Sequence, residues 1–267
     1  MSVTAPEVPP EVVAADPYST RPGLFGRSSA ARRYLFMPAA LSVVCVLLYL
    51  WVSSKELDSI EQRVLNADVV VASVIRHLEL VGLSTVFVIA LAVPLGVLLT
   101  RPFARPFVPA VVGVANAGQA LPSLGVIALL ALVFGIGFRY AVVALVVYAF
   151  LPVLRNTMVG LRQVDAAVIE SGRGMGMTKA SVLARIELPL AVPVVLAGVR
   201  TALVINVGTA TIAVLTNAGG LGTIIFQGIV QNRRTILLTG SILAAVLALF
   251  VDYLAGVAED KIRPRGL

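Results

Sequence analysis

Residues 80–100 read LVGLSTVFVIALAVPLGVLLT, without one charged side chain, and this run stops at Arg101. A helix rises about 1.5 Å per residue, so about 20 residues cross the roughly 30 Å hydrocarbon core of a bilayer. The rest of the chain has the same character, since 58% of its 267 residues are hydrophobic and 13% are charged. Such a composition excludes a soluble domain. The low aromatic content and the abundant Gly and Pro favour packed helices over a barrel. We predict an all-α integral membrane protein.

Further runs of spanning length lie on both sides of this helix. Residues 34–53 follow Arg32 and Arg33 and predict the first transmembrane helix, which makes residues 80–100 the second. Residues 106–154 contain only Arg139, so they predict a third and a fourth helix with a turn near residues 135–139.

The carboxy-terminal third of the chain predicts two more spans. In residues 188–232 the only charge is Arg200, and a glycine-rich break at residues 217–222 separates the fifth helix from a shorter apolar segment. Residues 235–257 give the sixth helix, interrupted only by Asp252. We therefore expect about six transmembrane helices.

The basic residues predict the orientation of these helices. With both termini on one side, 14 of the 21 Lys and Arg residues fall on that side, six fall on the other, and Arg200 lies in a span. The positive-inside rule then places both termini in the cytoplasm. The net charge of +7 therefore indicates membrane topology, and we expect no nucleic-acid partner.

The two ends and two isolated residues predict no chemistry. Residues 1–33 are rich in Pro and small residues, and we expect a disordered cytoplasmic tail with the flank of the first helix. Residues 259–267 are predicted as a second cytoplasmic tail. The single cysteine, Cys45, cannot form an intramolecular disulfide, and neither it nor the single histidine, His77, is assigned a ligand or nucleophile role.

The longest predicted cytoplasmic loop carries the most informative motif. Residues 168–189 read VIESGRGMGMTKASVLARIELP, which is too polar to cross a membrane and too long for a tight turn. Helix-forming runs lie on either side of Gly176, and a glycine can adopt the backbone angles that turn one short helix into the next. We predict a helical elbow at Gly176.

This loop closely resembles the cytoplasmic coupling loop of ATP-binding cassette importer permeases. Their pattern is E-A-A, three residues, Gly, nine residues and I-x-L-P, and two small residues stand here in place of the alanines. The chain matches it at Glu170, Gly176, Ile186, Leu188 and Pro189, and Ser171 and Gly172 occupy the two alanine positions. The resemblance implies the type I (MetI-like) permease fold of binding-protein-dependent transport. It also implies a permease core over residues 77–258, with five transmembrane helices and a coupling loop at 163–187.

The same resemblance implies a set of partners. Two ATP-binding cassette ATPase subunits would carry ATP and Mg, so this chain would bind no cofactor and would not itself be an enzyme. Gly172, Gly174 and Gly176 lack the Gly-Lys-Ser/Thr ending of a phosphate-binding loop. A second permease, identical or homologous, and an extracytoplasmic substrate-binding protein would complete the importer. Its place would be among the lipids of the bacterial cytoplasmic (inner) membrane, as a multi-pass protein.

Three further stretches resemble the osmoprotectant branch of these permeases, which imports glycine betaine, choline, carnitine and related compounds. They are QALPSLG (119–125), AGVRTA (197–202) and GTATIAVLTNAGGLG (208–222). A permease for amino acids or methionine stays an alternative, because those permeases share a similar glycine-rich end. An ion-coupled secondary transporter is a further alternative, but internal repeats and intramembrane carboxylates other than Asp252 are missing. No clustered residues suggest a membrane enzyme.

Polar residues inside the predicted spans are candidates for a translocation path. Pro122 is expected to kink the third helix. Asn116, Gln119 and Ser123 would share one face of it, and Asn206 and Thr209 would do so on the fifth helix. The alternative is that they only form hydrogen bonds between helices.

Arg200 and Asp252 are the two charges best placed inside apolar spans, and we predict an intramembrane ion pair. Outside the membrane, residues 54–79 are predicted to help dock the binding protein. They carry five carboxylates: Glu56, Asp58, Glu61, Asp68 and Glu79.

Overall fold

The computed structural model describes residues 26–262, with side chains from residue 34 onward. All regular structure in this part of the chain is helical. The helices are α1 (Gly26–Ser53), α2 (Ser59–Val64), α3 (Ala67–Leu99), a 3-10 helix (Pro102–Phe107), α4 (Val108–Ala120), α5 (Ser123–Phe134), α6 (Phe138–Arg162), α7 (Ala166–Gly174), α8 (Lys179–Val182), a π-helical turn (Leu183–Glu187), α9 (Leu188–Ala210), a second 3-10 helix (Ile212–Thr216), α10 (Leu221–Val230) and α11 (Arg234–Ile262).

Five helices are long and apolar enough to cross a membrane, and a bent pair of helices gives a sixth candidate. The five are Tyr34–Ser53, Ala67–Leu99, Phe138–Arg162, Lys179–Ala210 and Arg234–Ile262. The predicted class, an all-α membrane protein with about six spans, is therefore confirmed.

Helix bounds differ from the predicted ones at several ends. The first helix begins at Gly26, so residues 26–33 of the predicted tail are helical, and α11 continues to Ile262 into the other predicted tail. The parts of both predicted tails at 1–25 and 263–267 lie outside the described residues. The second span begins at Ala67, where Asn66 caps its first turn by accepting a hydrogen bond from the Asp68 N–H, rather than at Leu80.

The compact unit Met37–Leu267 is organised around α3, α6 and α9. Two contacts show that α3 and α9 are antiparallel, because each joins opposite ends of the two helices. His77 near the start of α3 contacts Val207, and Arg101 just after α3 pairs with Glu187 just before α9. We call the end of the bundle at Arg101 and Glu187 the coupling-loop side, and the end at residues 217–222 the opposite side.

Apolar side chains fill the space between these helices in two clusters. Larger fully buried residues of the cluster toward the opposite side are Leu80, Leu145, Val207, Leu221, Ile224 and Ile236. The second cluster, toward the coupling-loop side, contains Val88, Ala92, Val153, Leu154 and Ala202. Helix α1 lies outside this core, because only Leu41 and Leu48 among its described side chains are buried.

The predicted third helix is not one kinked helix. Helix α4 ends at Ala120, α5 begins at Ser123, and the two axes differ by 97°. Pro122 has no N–H to donate, and its ring drives Leu121 into an extended conformation at φ −72° and ψ 141°. Two consecutive non-helical residues turn the chain sharply, whereas Pro94 and Pro152 remain inside their helices.

The carbonyl group freed by this break is satisfied by the neighbouring helix. The Tyr148 hydroxyl of α6 donates a hydrogen bond to the Leu121 carbonyl. In return the Gln119 side-chain amide donates to the Tyr148 carbonyl at 2.6 Å. These two bonds fix the bend against α6 in a region where lipid offers no hydrogen-bond partner.

Small residues allow helix backbones to approach one another closely. A Cβ atom on Gly222 would lie 1.9 Å from the Thr211 carbonyl oxygen, and one on Gly228 would lie 2.4 Å from the Leu237 backbone nitrogen. These contacts hold α10 against its neighbours, as small residues commonly do between membrane helices.

We expect Gly222→Ala to destabilise the protein, because the obstructing atoms belong to backbone that cannot move without shifting α10. Overpacking of this kind costs about 1–3 kcal/mol. The matched control is Gly82→Ala, since a Cβ there meets nothing within 4 Å. Thermal unfolding in detergent should show a lower melting temperature for Gly222→Ala alone, and equal melting temperatures would contradict the packing described here.

Candidate coupling site and polar contacts between helices

The coupling loop folds as the predicted elbow. Asp165 caps α7 by accepting a hydrogen bond from the Ala167 N–H, and Thr178 caps α8 through the Ser181 N–H. Between the two helices Gly176 has φ +86°, a left-handed conformation that favours glycine. The predicted turn therefore lies at Gly176.

A close contact holds the two arms of the elbow together. Gly172 is buried, and a Cβ atom on it would lie 2.6 Å from the Ile186 Cδ1 atom. The Met177 N–H donates to the Gly172 carbonyl at 3.2 Å. Two motif positions, Gly172 and Ile186, thus lie against each other, and a small residue at the first leaves room for the Ile186 side chain.

The remaining motif residues lie on the surface or at the start of α9. Glu170 and Ser171 are exposed on α7, and the Ser171 hydroxyl donates to the Ala167 carbonyl. Leu188 and Pro189 directly follow the π-helical turn inside the continuous helical span Lys179–Ala210, so the missing proline N–H falls where the regular α-helical pattern is already interrupted. The exposed carboxylate of Glu170 is therefore available to another molecule.

An ion pair between a buried carboxylate and a partly buried guanidinium joins the elbow to the rest of the bundle. Glu187 is buried and accepts hydrogen bonds from both terminal nitrogens of Arg101, at 3.2 and 2.5 Å. Paired geometry of this kind is the strong form of a carboxylate–guanidinium contact. It links the end of α3 to the helix that leaves the elbow, and it was not predicted, because Arg101 and Glu187 are far apart in the chain.

The residues predicted to line one face of the third helix are not on one face. Asn116 and Gln119 belong to α4, whereas Ser123 starts α5 beyond the 97° bend at Pro122. Asn116 is exposed and accepts a hydrogen bond from Arg155 at 2.8 Å, while Gln119 is occupied by Tyr148. The shared-face prediction is therefore wrong for Ser123, because Pro122 interrupts the helical register between Ser123 and the other two residues.

On α9 the two predicted path residues differ in their surroundings. Asn206 is fully buried, and its amide group lies 3.0 Å from the Ser84 hydroxyl and 3.1 Å from the Thr85 hydroxyl. Thr209 is half-buried near the end of the helix. Asn206 thus binds α3 to α9 from inside the protomer.

The predicted pair Arg200 and Asp252 lies at hydrogen-bond distance. The Arg200 guanidinium donates to both Asp252 carboxylate oxygens, at 2.6 and 2.7 Å, and Glu259 lies 3.7 Å away. Gly256 follows Asp252 by one helical turn, and a Cβ atom there would lie 3.2 Å from the guanidinium. One face of α11 thus presents two carboxylates, and the absence of a side chain at Gly256 leaves room for the guanidinium between them.

His77 connects three helices, a role that its sequence context did not suggest. Its ring is fully buried; Nδ1 accepts a hydrogen bond from the Leu221 N–H at 3.3 Å, and Nε2 lies 3.0 Å from the Val207 carbonyl. The partners require a proton on Nε2, which fixes the neutral tautomer. His77 therefore holds the glycine-rich segment before α10 against α3 and α9.

The carboxylates of residues 54–79 mostly have partners within the protein. Asp58 caps α2 together with Glu61 and contacts Arg233 at 2.5 Å, and Glu79 pairs with Arg76 at 2.7 Å. Backbone N–H donation from Glu61 lowers the pKa of Asp58, with a further contribution from the positive charge of Arg233. Glu56 and Asp68 are exposed.

The sequence suggested no metal site, and residues 26–262 bring together no group of three or more His, Cys, Asp or Glu side chains that could hold an ion.

Apolar spanning helices, with a helical elbow between α6 and α9, give the described part of the chain the fold of a polytopic membrane protein. A solved structure of the MetNI methionine ABC transporter in an inward-facing conformation shares this fold, with a TM-score of 0.65 at 24% identity over 73% of this chain and 96% of that one.

The family follows from sequence similarity. Residues 92–264 match the family described as "Binding-protein-dependent transport system inner membrane component". The carnitine transport permease protein OpuCD of Listeria monocytogenes is 41% identical over 200 residues, which are 74% of this chain and 89% of that relative. The osmoprotectant import permease protein OsmY of Salmonella typhimurium is 43% identical over 189 residues, 71% of this chain and 80% of the relative. This chain belongs to the family of binding-protein-dependent transport system inner membrane components.

We expect neutralisation of the ion-pair residues to destabilise the protein in a defined order. Arg200→Gln leaves Asp252 and Glu259 on one face of α11 without their cation, whereas Asp252→Asn leaves Arg200 near Glu259. Because the Arg200 side chain is 39% exposed, the largest effect should be about 1 kcal/mol rather than the 3–5 kcal/mol of a fully buried pair.

Among the purified variants, Arg200→Gln should have the lowest melting temperature, Asp252→Asn an intermediate one and Glu259→Gln the highest. The exchange of Arg200 and Asp252 should recover part of the loss. An exchange variant no more stable than Arg200→Gln, at equal expression, would contradict a stabilising pair.

Proposed function

We propose that this chain is the transmembrane permease subunit of an ATP-driven importer, and that its elbow couples the transmembrane helices to an ATPase. The observation that carries the proposal is the contact between Gly172 and Ile186 across the turn at Gly176, which fixes the arms of the elbow. Glu170 is exposed on the short helix α7.

The partners of the proposed importer are two ATPase subunits, which would hold ATP and Mg, and a second permease, identical or homologous. An extracytoplasmic substrate-binding protein would deliver the substrate. Closure of the ATPases would displace the elbow, and two features would transmit this motion. Lys179–Ala210 is one continuous helical span, and the ion pair of Arg101 with Glu187 joins that span to α3. Displacement of α7 would therefore move α9 and α3 together, as alternating access requires.

The proposed substrate is an osmoprotectant such as glycine betaine, choline or carnitine. The support is the function for which two relatives are named, carnitine transport for one and osmoprotectant import for the other, at 41% and 43% identity. The similarity to the methionine transporter, at 24% identity, concerns the fold. Recognition of a quaternary ammonium group by an aromatic cage would lie in the binding protein.

A polar surface of the protomer is the best placed to face the substrate path. Asn116 and Arg155 form an exposed hydrogen-bonded pair on two spanning helices, where an isolated protomer would otherwise present them to lipid. Weaker candidates for the same path are the other predicted residues that are not fully buried: Gln119, Pro122, Ser123 and Thr209. Asn206 is better explained by its contacts inside the protomer.

Both termini are proposed to be cytoplasmic in the bacterial inner membrane. The 14 to 6 distribution of Lys and Arg supports this orientation, and it places the coupling-loop side where ATP is available.

We expect two substitutions in the elbow to uncouple transport from ATP hydrolysis. Gly176→Val forces a β-branched residue into a left-handed conformation, at a cost of about 1–3 kcal/mol, and Gly172→Val collides with Ile186. Glu170→Lys tests the exposed carboxylate separately. The matched control is Gly174→Ala, because a Cβ there meets nothing within 4 Å and its φ is not positive.

The measurement is ATPase activity of the reconstituted complex, with and without the substrate-loaded binding protein, together with uptake of radiolabelled glycine betaine, choline and carnitine. In the valine variants the stimulated ATPase activity should fall roughly tenfold, although both variants should still reach the membrane. Gly174→Ala should keep both activities. Normal uptake and ATPase association in all the elbow variants would refute the coupling role, and ATP-independent uptake that collapses with the ion gradient would favour a secondary transporter.

The orientation is tested by cysteine labelling in a Cys45→Ser background. Ser59 and Ser171 are both exposed, at opposite ends of the bundle. Ser59→Cys should react with an impermeant maleimide in spheroplasts, and Ser171→Cys should react only after permeabilisation. The reverse pattern would overturn the proposed topology.

A further inference from the structure

A strongly basic cavity of about 580 Å³ lies on the coupling-loop side, between the elbow and the ends of α3 and α6. The 3-10 helix after α3, the last residues of α6, and α7 and α8 all contribute to its wall. Its charged lining residues are Arg101, Arg105, Arg162, Arg173, Lys179 and Glu187.

The charges in this cavity are not balanced by the protein. Glu187, the one carboxylate of the lining, is already bound by Arg101. The other four cationic side chains make no ion pair or side-chain hydrogen bond with any residue in the described part of the chain. Four separate elements thus bring positive charges around one space, although like charges repel. An anion in the cavity would compensate this repulsion.

The cavity lies at the level where lipid headgroups meet the protein. Its residues Thr100 to Arg105 directly follow the end of the spanning helix α3 at Leu99. On the same short 3-10 helix Phe103 and Phe107 are 70% and 62% exposed. Exposed aromatic rings next to basic side chains, at the end of a spanning helix, are typical of the membrane interface. The anion therefore has an apolar neighbour on the lipid side.

We propose that this cavity binds the phosphate group of an anionic phospholipid. Guanidinium groups bind phosphate oxygens through paired hydrogen bonds, and Lys179 adds a point charge. Leu161, Val182 and Leu183 provide an apolar wall for the glycerol and the first acyl carbons. The bound lipid would connect the 3-10 helix, α6 and the elbow, and so hold the elbow at a fixed distance from the membrane surface.

The experiment compares lipid binding by the full chain with that of a double variant, Arg105→Gln with Arg173→Gln. These residues lie on two different walls of the cavity, and both are exposed, so folding should be preserved. The matched control removes two exposed charges from the opposite side, Arg63→Gln with Arg234→Gln. Native mass spectrometry in neutral detergent would follow titration with phosphatidylglycerol, phosphatidylcholine or inorganic phosphate. Unfolding temperatures without lipid check that the variants are folded.

Wild type and control should retain phosphatidylglycerol in preference to phosphatidylcholine. The cavity variant should bind phosphatidylglycerol about thirtyfold more weakly, the effect of two basic side chains at an anionic lipid surface. Equal phosphatidylglycerol binding in all three proteins would overturn the proposal. So would binding of inorganic phosphate that displaces phosphatidylglycerol at equal concentration, because the ligand would then be free phosphate. Normal lipid binding with loss of the co-expressed ATPase in the cavity variant would also overturn it, in favour of an acidic protein surface. The lipid measurements need no ATPase and do not depend on the proposed transport function.

Discussion

The need to satisfy every backbone N–H and C=O group away from water governs this structure. Helices meet that need within themselves, and the described part of the chain is helical almost throughout the membrane-spanning region. Where the helix breaks at Leu121 and Pro122, the Tyr148 hydroxyl replaces the lost intrahelical donor. A neighbouring helix therefore supports the sharp bend between α4 and α5 by donating a hydrogen bond at the Leu121 carbonyl.

Charged groups follow the same logic of compensation. Arg101 and Glu187 are joined where two helices enter the membrane, and Arg200 lies against Asp252 and Glu259 on one face of α11. The basic cavity beside the elbow differs from both, because its charges come from separate elements and outnumber the single carboxylate. Ion pairs explain how the helices dock, whereas the described residues that line the cavity provide no further carboxylate to balance its remaining positive charges.

The number of spans, their class and the position of the elbow could be predicted because they depend on local sequence. A long uncharged run favours a membrane-spanning helix over other structures. A left-handed turn favours glycine, so Gly176 indicates the turn in the sequence itself. The bend at Pro122 was predicted as a kink, since sequence does not show whether the residue before a proline stays helical. His77 and Arg155 were not predicted as contact residues, because their partners, Val207 and Asn116, are distant in the chain.

The wide turn at Leu183–Glu187 gives the spacing of the loop motif a geometric meaning. A π turn takes in one residue more than an α turn, and each residue of a helix advances by about 100°. The residues of α9 are therefore rotated about the helix axis relative to their positions in an uninterrupted α-helix that starts at Lys179. The nine residues between Gly176 and Ile186 include part of this turn, so their number sets an angular phase as well as a length. A single insertion or deletion there would leave composition and hydropathy almost unchanged, yet it would direct Ile186 and Glu187 away from Gly172 and Arg101.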